Sequence, residues 1–501
     1  MGTQSFPAKE NTNEKYIFIL FLILCYFSFF LRLTSYPILM WDESRFAVNA
    51  FELLKSKNFI VTTFNGVPDL WNTKPPLNVW IIAASMKLFG YSELAIRLPS
   101  ALAALFTSIA VYCFVRKQLN DPIAGFFSGA VLISSVGYIS VHIARSGDAD
   151  SIAVLLMTLF VMKFYDSLSH PGKELIHKKS FYSSLLFFSL ALLAKSAYPL
   201  FLLPGLFVFV FTIKKQKIFL LPGFFVACLA SLIPFVLYCL LREFQNPGYL
   251  QAVWLNDFGG RFSTTIESHS GSVVQYFFGL LNNRFFYWFY IVLFSIPFLL
   301  KEKTRKETGI VSLSTLSGFS VLLIISLSET KLSHYDAAVF PFFSIIAGIA
   351  LRKLFVYILS LIKLKKQVSI NIYYCIFFLA LFFYPYRKVL SYINIKPIEA
   401  AAFNLKYGPF MKTIYKGDEN DSVLFYDNGY NAHLIFYTNV FAVSGKHAKM
   451  ISTLNGLKDG DLVATCMPEI KKEITSAYQS TIYKSDEFCS CYRILKNDSI
   501  R

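Results

Sequence analysis

Two adjacent carboxylates, Asp42 and Glu43, follow the first apolar stretch, and Lys74-Pro75-Pro76 closes the same polar segment. A carboxylate can take a proton from an attacking hydroxyl. A lysine can hold a phosphate while negative charge develops on it. The prolines fix φ and bias Lys74 toward extended backbone, which stiffens the chain beside its amine. Further ionisable groups recur downstream. Ala144-Arg145-Ser146-Gly147-Asp148-Ala149-Asp150 carries two acids, and Lys195 lies in Leu-Leu-Ala-Lys-Ser-Ala-Tyr-Pro. Arg261, Glu267 and His269 follow, then Glu329-Thr330-Lys331-Leu332-Ser333-His334-Tyr335. This set suits a displacement with a phosphate leaving group. Asp42 would be the base, Lys74, Lys195, Arg261 and Lys331 the phosphate-binding cations, and His269 a metal ligand.

Each motif also has a plainer reading. Asp42-Glu43 can stabilise the start of a following helix, and Asp148 or Asp150 can cap the next one. Lys195 can be a snorkelling lysine, His269 an ordinary loop residue and Pro75-Pro76 only a turn. His334 is the weakest candidate, because Lys331 and Tyr335 account for that stretch without it. The set is more telling than its members, since unpaired charges at membrane edges are costly.

The elements that must position these groups are apolar helices. Of 501 residues, 55% are hydrophobic, 17% aromatic and only 16% charged, which a soluble chain cannot bury. The fold class expected is an all-α polytopic membrane protein of about 11–13 spans with a small C-terminal soluble α/β domain. Spans are expected near 16–33, 94–115, 123–141, 152–165, 181–193, 197–213, 218–241, 285–300, 310–327, 335–351 and 370–386. Residues 354–364 would be an interfacial helix or part of a further hairpin. The net charge of +17 reflects Lys and Arg in alternate loops, such as Arg116-Lys117, Lys178-Lys179, Lys214-Lys215, Lys301-Lys303 and Lys363-Lys365-Lys366. That pattern puts those loops in the cytoplasm and argues against nucleic acid as a partner. The candidate residues then share the outer face. Within the first outward loop, residues 34–78, Ser44–Leu54 is expected to lie on the membrane with Phe46, Phe51 and Leu54 toward lipid.

Three regions are expected: a cytoplasmic tail over residues 1–15, a membrane domain over 16–386 and an outward-facing α/β domain over 387–501. In the last, Ser422–Tyr426, Leu434–Tyr437, Leu462–Thr465 and Tyr492–Leu495 read as strands. Five of the eight cysteines lie in apolar runs. Cys466 paired with Cys489 or Cys491 is the expected disulfide if the tail is outside.

An Asp-Glu after the first span, a downstream Lys-Pro-Pro-Leu, an Ala-Arg…Asp loop and a Lys-x-x-x-Tyr before a late span resemble one superfamily. It comprises the bacterial lipid A 4-amino-4-deoxy-L-arabinose transferases and the dolichyl-phosphate-mannose protein mannosyltransferases, which share the GT-C fold. The resemblance implies that Asp42, beside Glu43, is the functional acid and that Lys74 binds the donor phosphate. Asp148 or Asp150 would be a second acid, and Tyr335 with Lys331 the late element. His269 would be near a divalent metal ion. The arabinose transferases tend to carry a metal-binding Glu before Lys-Pro-Pro, where this chain has Thr73. The implied activity is an inverting transfer of a hexosyl or pentosyl group from a polyprenyl-phosphate donor. Its acceptor would be lipid A, protein or another envelope glycan, at the outer face of a bacterial inner membrane. A transporter or flippase for such lipids would need polar groups through the full membrane depth. An envelope-assembly subunit would do its work in the C-terminal tail.

Overall fold

The computed structural model describes residues 11–169, 178–301, 304–362, 367–394, 406–415, 422–430 and 432–495. The expected tail as far as residue 10 lies outside the described residues, as do Lys303, Lys363, Lys365 and Lys366. The chain opens with α1 (Asn11–Phe29), α2 (Asp42–Ser56), α3 (Leu77–Phe89), α4 (Glu93–Leu119), α5 (Pro122–Ile133) and α6 (Val136–Ile139). It continues with α7 (Asp150–Ser169), α8 (Lys179–Lys195), α9 (Leu203–Thr212), α10 (Pro222–Gln245), α11 (Tyr249–Asp257) and α12 (Gly259–Ser263). The membrane part closes with α13 (Gln275–Gly279), α14 (Phe286–Leu299), α15 (Arg305–Leu327), α16 (Val339–Ile362) and α17 (Gln367–Asn394).

Six of these helices, α4, α7, α10, α15, α16 and α17, are long and apolar enough to cross a membrane. Each stretch expected to span coincides with a helix. Two details differ. Ile123–Val141 is broken after Ile133, where the Ser134 and Ser135 hydroxyls donate back to the Ala130 and Val131 carbonyls at 2.7 and 2.6 Å. Residues 354–362 continue α16 and form no separate interfacial helix. The outer face of α10 leaves Phe225, Val226, Leu229, Ile233, Val236, Leu237 and Leu240 exposed, a stripe that suits lipid. Inside the bundle, helices approach closely at small residues. A Cβ on Gly348 of α16 would stand 2.4 Å from Ser128 backbone on α5.

The bundle has two distinct ends. At one, Arg116 on α4 pairs with Glu14 on α1, Arg352 with Asp121 at 2.7 Å and Lys353 with Glu307 at 3.0 Å. Asp121 also caps α5 by accepting from the Ile123 and Ala124 N–H groups. At the other end lie the loops that carry the candidate residues. There a hairpin of β1 (Thr63–Phe64) and β2 (Val67–Pro68) turns at Asn65-Gly66, both at positive φ, as a two-residue hairpin turn requires.

The C-terminal domain contains α18 (Tyr407–Ile414), β3 (Val423–Tyr426), α19 (Ala432–Val443), β4 (Ala448–Ile451) and β5 (Leu462–Thr465). After them come α20 (Pro468–Ala477), β6 (Ser480–Ser485) and β7 (Ser490–Ile494). The sheet order is β4-β3-β5-β7-β6, with β3 parallel to β4 and β5 and β7 antiparallel to β5 and β6. Residues 434–437, expected as a strand, are helical; a four-residue apolar run does not distinguish the two. Cys466 and Cys489 form the disulfide.

This domain packs onto the segment that carries α2 and α3 and onto the start of α4. Phe46, Ile82 and Ile96 share one apolar cluster with Tyr407, Phe410 and Leu434. Phe46 and Phe51 are therefore buried in protein rather than turned to lipid, and Leu54 packs against the same cluster. Helix α2 is a seam between two domains.

Candidate active site

Helix α2 begins at Asp42, and its neighbour Glu43 fixes where it begins. Glu43 is 1% exposed and accepts from Arg97 Nε at 2.7 Å and Nη2 at 2.8 Å. It also accepts from the Leu39 and Gly147 N–H groups at 2.7 and 3.0 Å. The rest of the Arg97 fork donates to the Leu33, Tyr36 and Pro37 carbonyls. Arg97 thus ties α4 to the turn between α1 and α2. Every strong acceptor site on Glu43 has a protein donor, so it positions the site and Asp42 is left exposed to act.

The second loop is held in a similar way. Buried Arg145 donates to the Ser28, Phe29 and Leu31 carbonyls at the end of α1. This leaves the following Ser146-Gly147-Asp148 turn against α2. Asp148 is 2% exposed, and its Oδ2 stands 3.2 Å from His142 Nδ1 and accepts from Ser146 Oγ. Asp42, His142 and Asp148 present ligand atoms within 4.8 Å of one another. Burial lowers the His142 pKa, but the Asp148, Asp42 and Asp150 carboxylates outweigh it and raise it to about 9. Six residues beyond the loop's start, Asp150 opens α7 and pairs with Lys195 at the end of α8.

Lys195 also lies over the rings of Tyr198 and Tyr335, at 4.8 and 5.6 Å. Arg261 Nη1 donates to the Tyr335 hydroxyl at 2.9 Å. Burial raises the Tyr335 pKa to about 12 despite Arg261, so the phenol stays a hydrogen-bond donor at neutral pH. The His334 ring stands 4.8 Å from that of His142. Burial and the cations around it, including His142, push the His334 pKa well below its usual value. Beneath both, Arg284 forms a two-point pair with buried Asp336, each bond 2.6 Å. A cleft of about 370 Å³ opens here, lined in part by Ser140, His142, Arg284, Ser333 and Tyr392.

The first loop carries its own network of paired charges. Asp69 accepts from Arg45 at 2.7 and 2.9 Å and from Asn49 at 3.1 Å. It also accepts from the Trp71 and Asn72 N–H groups, which sets the approach to Lys74. Lys74 pairs with Asp257 on α11. Tyr430, from the C-terminal domain, stacks on Trp41 at 4.9 Å and on Phe64 at 6.2 Å. Arg45 donates to its hydroxyl at 3.4 Å.

Two sequence candidates stand apart. Lys331 is buried and donates to the Ser326 and Ser328 carbonyls, closing the end of α15 rather than facing the cleft. His269 is exposed, with Glu267 as its nearest acid at 3.9 Å. The metal arrangement expected around Lys-Pro-Pro does not fit these residues. Thr73 is buried with an unpartnered hydroxyl, and His269 is absent from the one group of three His, Cys, Asp or Glu side chains that among the described residues could share an ion. Arg97, Asp69, His142, Asp257 and Tyr430 were not legible as site residues. His142 had one signal, its place at the head of the Asp148 loop.

Comparison with known proteins finds likeness in sequence over part of the chain and in fold over most of it. Residues 73–239 match the family model described as dolichyl-phosphate-mannose-protein mannosyltransferase. An uncharacterised protein of Aquifex aeolicus is 25% identical over 333 residues, 66% of this chain and 63% of that protein. The undecaprenyl phosphate-alpha-4-amino-4-deoxy-L-arabinose arabinosyl transferase 2 of Pseudomonas fluorescens is 29% identical over 130 residues, 26% of this chain and 22% of that one. The matches therefore span less than two thirds of those relatives' lengths. In three dimensions the chain resembles ArnT from Cupriavidus metallidurans bound to undecaprenyl phosphate, with a TM-score of 0.68 at 17% identity. That likeness covers 95% of this chain and 97% of the other. The fold is the GT-C type, and the protein is an integral, multi-pass membrane protein.

Proposed function

We propose that this chain, which shares the GT-C fold and resembles the arabinose transferases and protein mannosyltransferases, moves a sugar from a polyprenyl-phosphate donor to an envelope acceptor. The carrying observation is the convergence of Asp42 and Asp148 with Lys195, Arg261 and Tyr335 at one end of the bundle. The named relatives act on 4-amino-4-deoxy-L-arabinose, and lipid A is the acceptor class their resemblance suggests. The site would face outward from a bacterial inner membrane, with the N-terminus in the cytoplasm.

Asp42, exposed and beside His142, takes the proton of an acceptor hydroxyl as its oxygen attacks the anomeric carbon. The bond from that carbon to the phosphate oxygen breaks, and polyprenyl phosphate leaves with the electron pair. A single displacement of this kind inverts the anomeric centre. Lys74 and Arg261, with Tyr335 as a neutral donor, meet the developing phosphate charge. Lys195 contributes as half of a pair with Asp150. The Lys74–Asp257 pair must open or share its lysine with the phosphate. Candidate site charges gathered at one end, with the remaining ion pairs at the other, do not suit a lipid transporter, which needs polar groups at several depths. Asp42→Asn and Lys74→Ala should each abolish sugar transfer while the protein still inserts. Full activity in both would end the assignment.

A further inference from the structure

We propose that Asp42, His142 and Asp148 form a divalent-cation site, of the Mn²⁺ or Mg²⁺ class, at the edge of the cleft. Their ligand atoms already lie within 4.8 Å of one another. Ligand atoms around one such ion stand about 3–4 Å apart, given bonds of roughly 2.0–2.2 Å. A small rotation of the exposed Asp42 side chain closes the difference.

Three observations point to a ligand there. The first is an orphaned atom. Asp148 is 2% exposed, yet its Oδ1 has no hydrogen-bond partner. A buried carboxylate oxygen without a donor is costly, and native proteins rarely leave one.

The second is charge. Five other buried carboxylates at this end each have a cation: Glu43 has Arg97, Asp69 has Arg45, Asp150 has Lys195, Asp257 has Lys74 and Asp336 has Arg284. Among the described residues no lysine or arginine pairs with Asp42 or Asp148. Two negative charges and an imidazole match the demand of a doubly charged ion.

The third is support around the ligands. The Ser146 hydroxyl donates to Asp148 Oδ2 and accepts from the His142 N–H at 2.7 Å, so one side chain holds two ligands in place. His142 itself sits at φ 70°, a left-handed conformation that a non-glycine residue adopts at some cost.

The oxygen-rich donor set favours Mn²⁺ or Mg²⁺ over a thiophilic ion. Three protein ligands leave positions open toward the cleft that His142 lines. What would fill them, a donor phosphate, rests on the transfer reading above; the ion site itself does not. One Asp42 oxygen suffices as a ligand and leaves the other toward the acceptor.

The test is Mn²⁺ binding to the purified full chain in detergent, without donor, read by electron paramagnetic resonance and by metal content. One Mn²⁺ per chain is expected. It should be lost in Asp148→Asn, His142→Gln and Asp42→Asn, and kept in His269→Ala. Asp42 is exposed, so its variant tests the site even if the buried ones fail to fold; a native-like thermal unfolding curve in detergent reports folding. Unchanged Mn²⁺ binding in Asp42→Asn, or no binding by the native chain at millimolar Mn²⁺, overturns the proposal. Sugar transfer without Mn²⁺ binding would remove the ion and leave the function standing. Mn²⁺ binding by a chain with no affinity for polyprenyl phosphate would do the reverse.

Discussion

Replacing Glu43 by glutamine separates a positioning carboxylate from a catalytic one. Glu43 is 1% exposed and Arg97 is fully buried. The Glu43 oxygens accept from Arg97 Nε and Nη2 and from the Leu39 and Gly147 N–H groups, at 2.7 to 3.0 Å. Glutamine keeps one acceptor oxygen and turns an NH₂ group toward two of those donors. It also leaves the Arg97 charge buried without its partner. Breaking a buried pair from one side costs about 3–5 kcal/mol, roughly two to four orders of magnitude in the folded-to-unfolded ratio. Denaturant unfolding in detergent would measure it for Glu43→Gln, Arg97→Gln and the double variant. The double variant should lose less than the sum, because no charge is then left alone. The folded fraction of Glu43→Gln should keep more activity than the roughly 10²-fold loss expected from removing a proton-transfer group. Native stability combined with a loss of that size would refute the positioning role and return Glu43 to the chemistry.

Three further outcomes are expected. Tyr430→Ala removes the ring stacked on Trp41 and Phe64, worth about 0.5–1.5 kcal/mol, and should raise the donor or acceptor KM several-fold with kcat largely kept; unchanged steady-state kinetics would take the C-terminal domain out of the site. Burial pushes the Asp69 pKa up, but Arg45, Asn72 N–H and Asn49 outweigh it and hold the carboxyl below its usual range. The stability it contributes is therefore present above the ordinary carboxylate pKa of about 3.9 and lost as pH falls through the depressed folded value. Limited proteolysis should show the first loop opening only at the acid end of that window, and Asp69→Asn should be cut at neutral pH. Reduction of Cys466–Cys489, which are 23 residues apart, should destabilise the C-terminal domain by about 3 kcal/mol. Coincident unfolding curves with and without reductant would contradict that.

The membrane part was legible because burial in lipid leaves a one-dimensional record. Helices that cross hydrocarbon need long apolar runs, and the basic loops mark alternate ends. Lys353 and Arg352, read as a basic loop, do gather with Arg116 at the end away from Asp42. The same logic failed where a helix is short and buried by protein instead. Residues 44–54 have the pattern of a surface helix, and only the C-terminal domain covering Phe46 decides otherwise.

The candidate site divides in the same way. Asp42, Lys74, Asp148, Arg261 and Tyr335 were visible as ionisable or hydrogen-bonding groups where spans meet loops. Which of them are free to act was not visible, because a pairing partner is a matter of distance in space. Arg97, 54 positions from Glu43, and Asp257, 183 positions from Lys74, neutralise their partners through contacts that no local pattern encodes. Lys331 reads as a phosphate ligand until its amine is seen closing the end of α15. Composition and periodicity determined that this chain is a polytopic bundle with its chemistry at one end. Tertiary structure alone decided that, among the described residues, no arginine or lysine pairs with Asp42 or Asp148, and brought His142 close to both, because only packing selects which buried charges are cancelled.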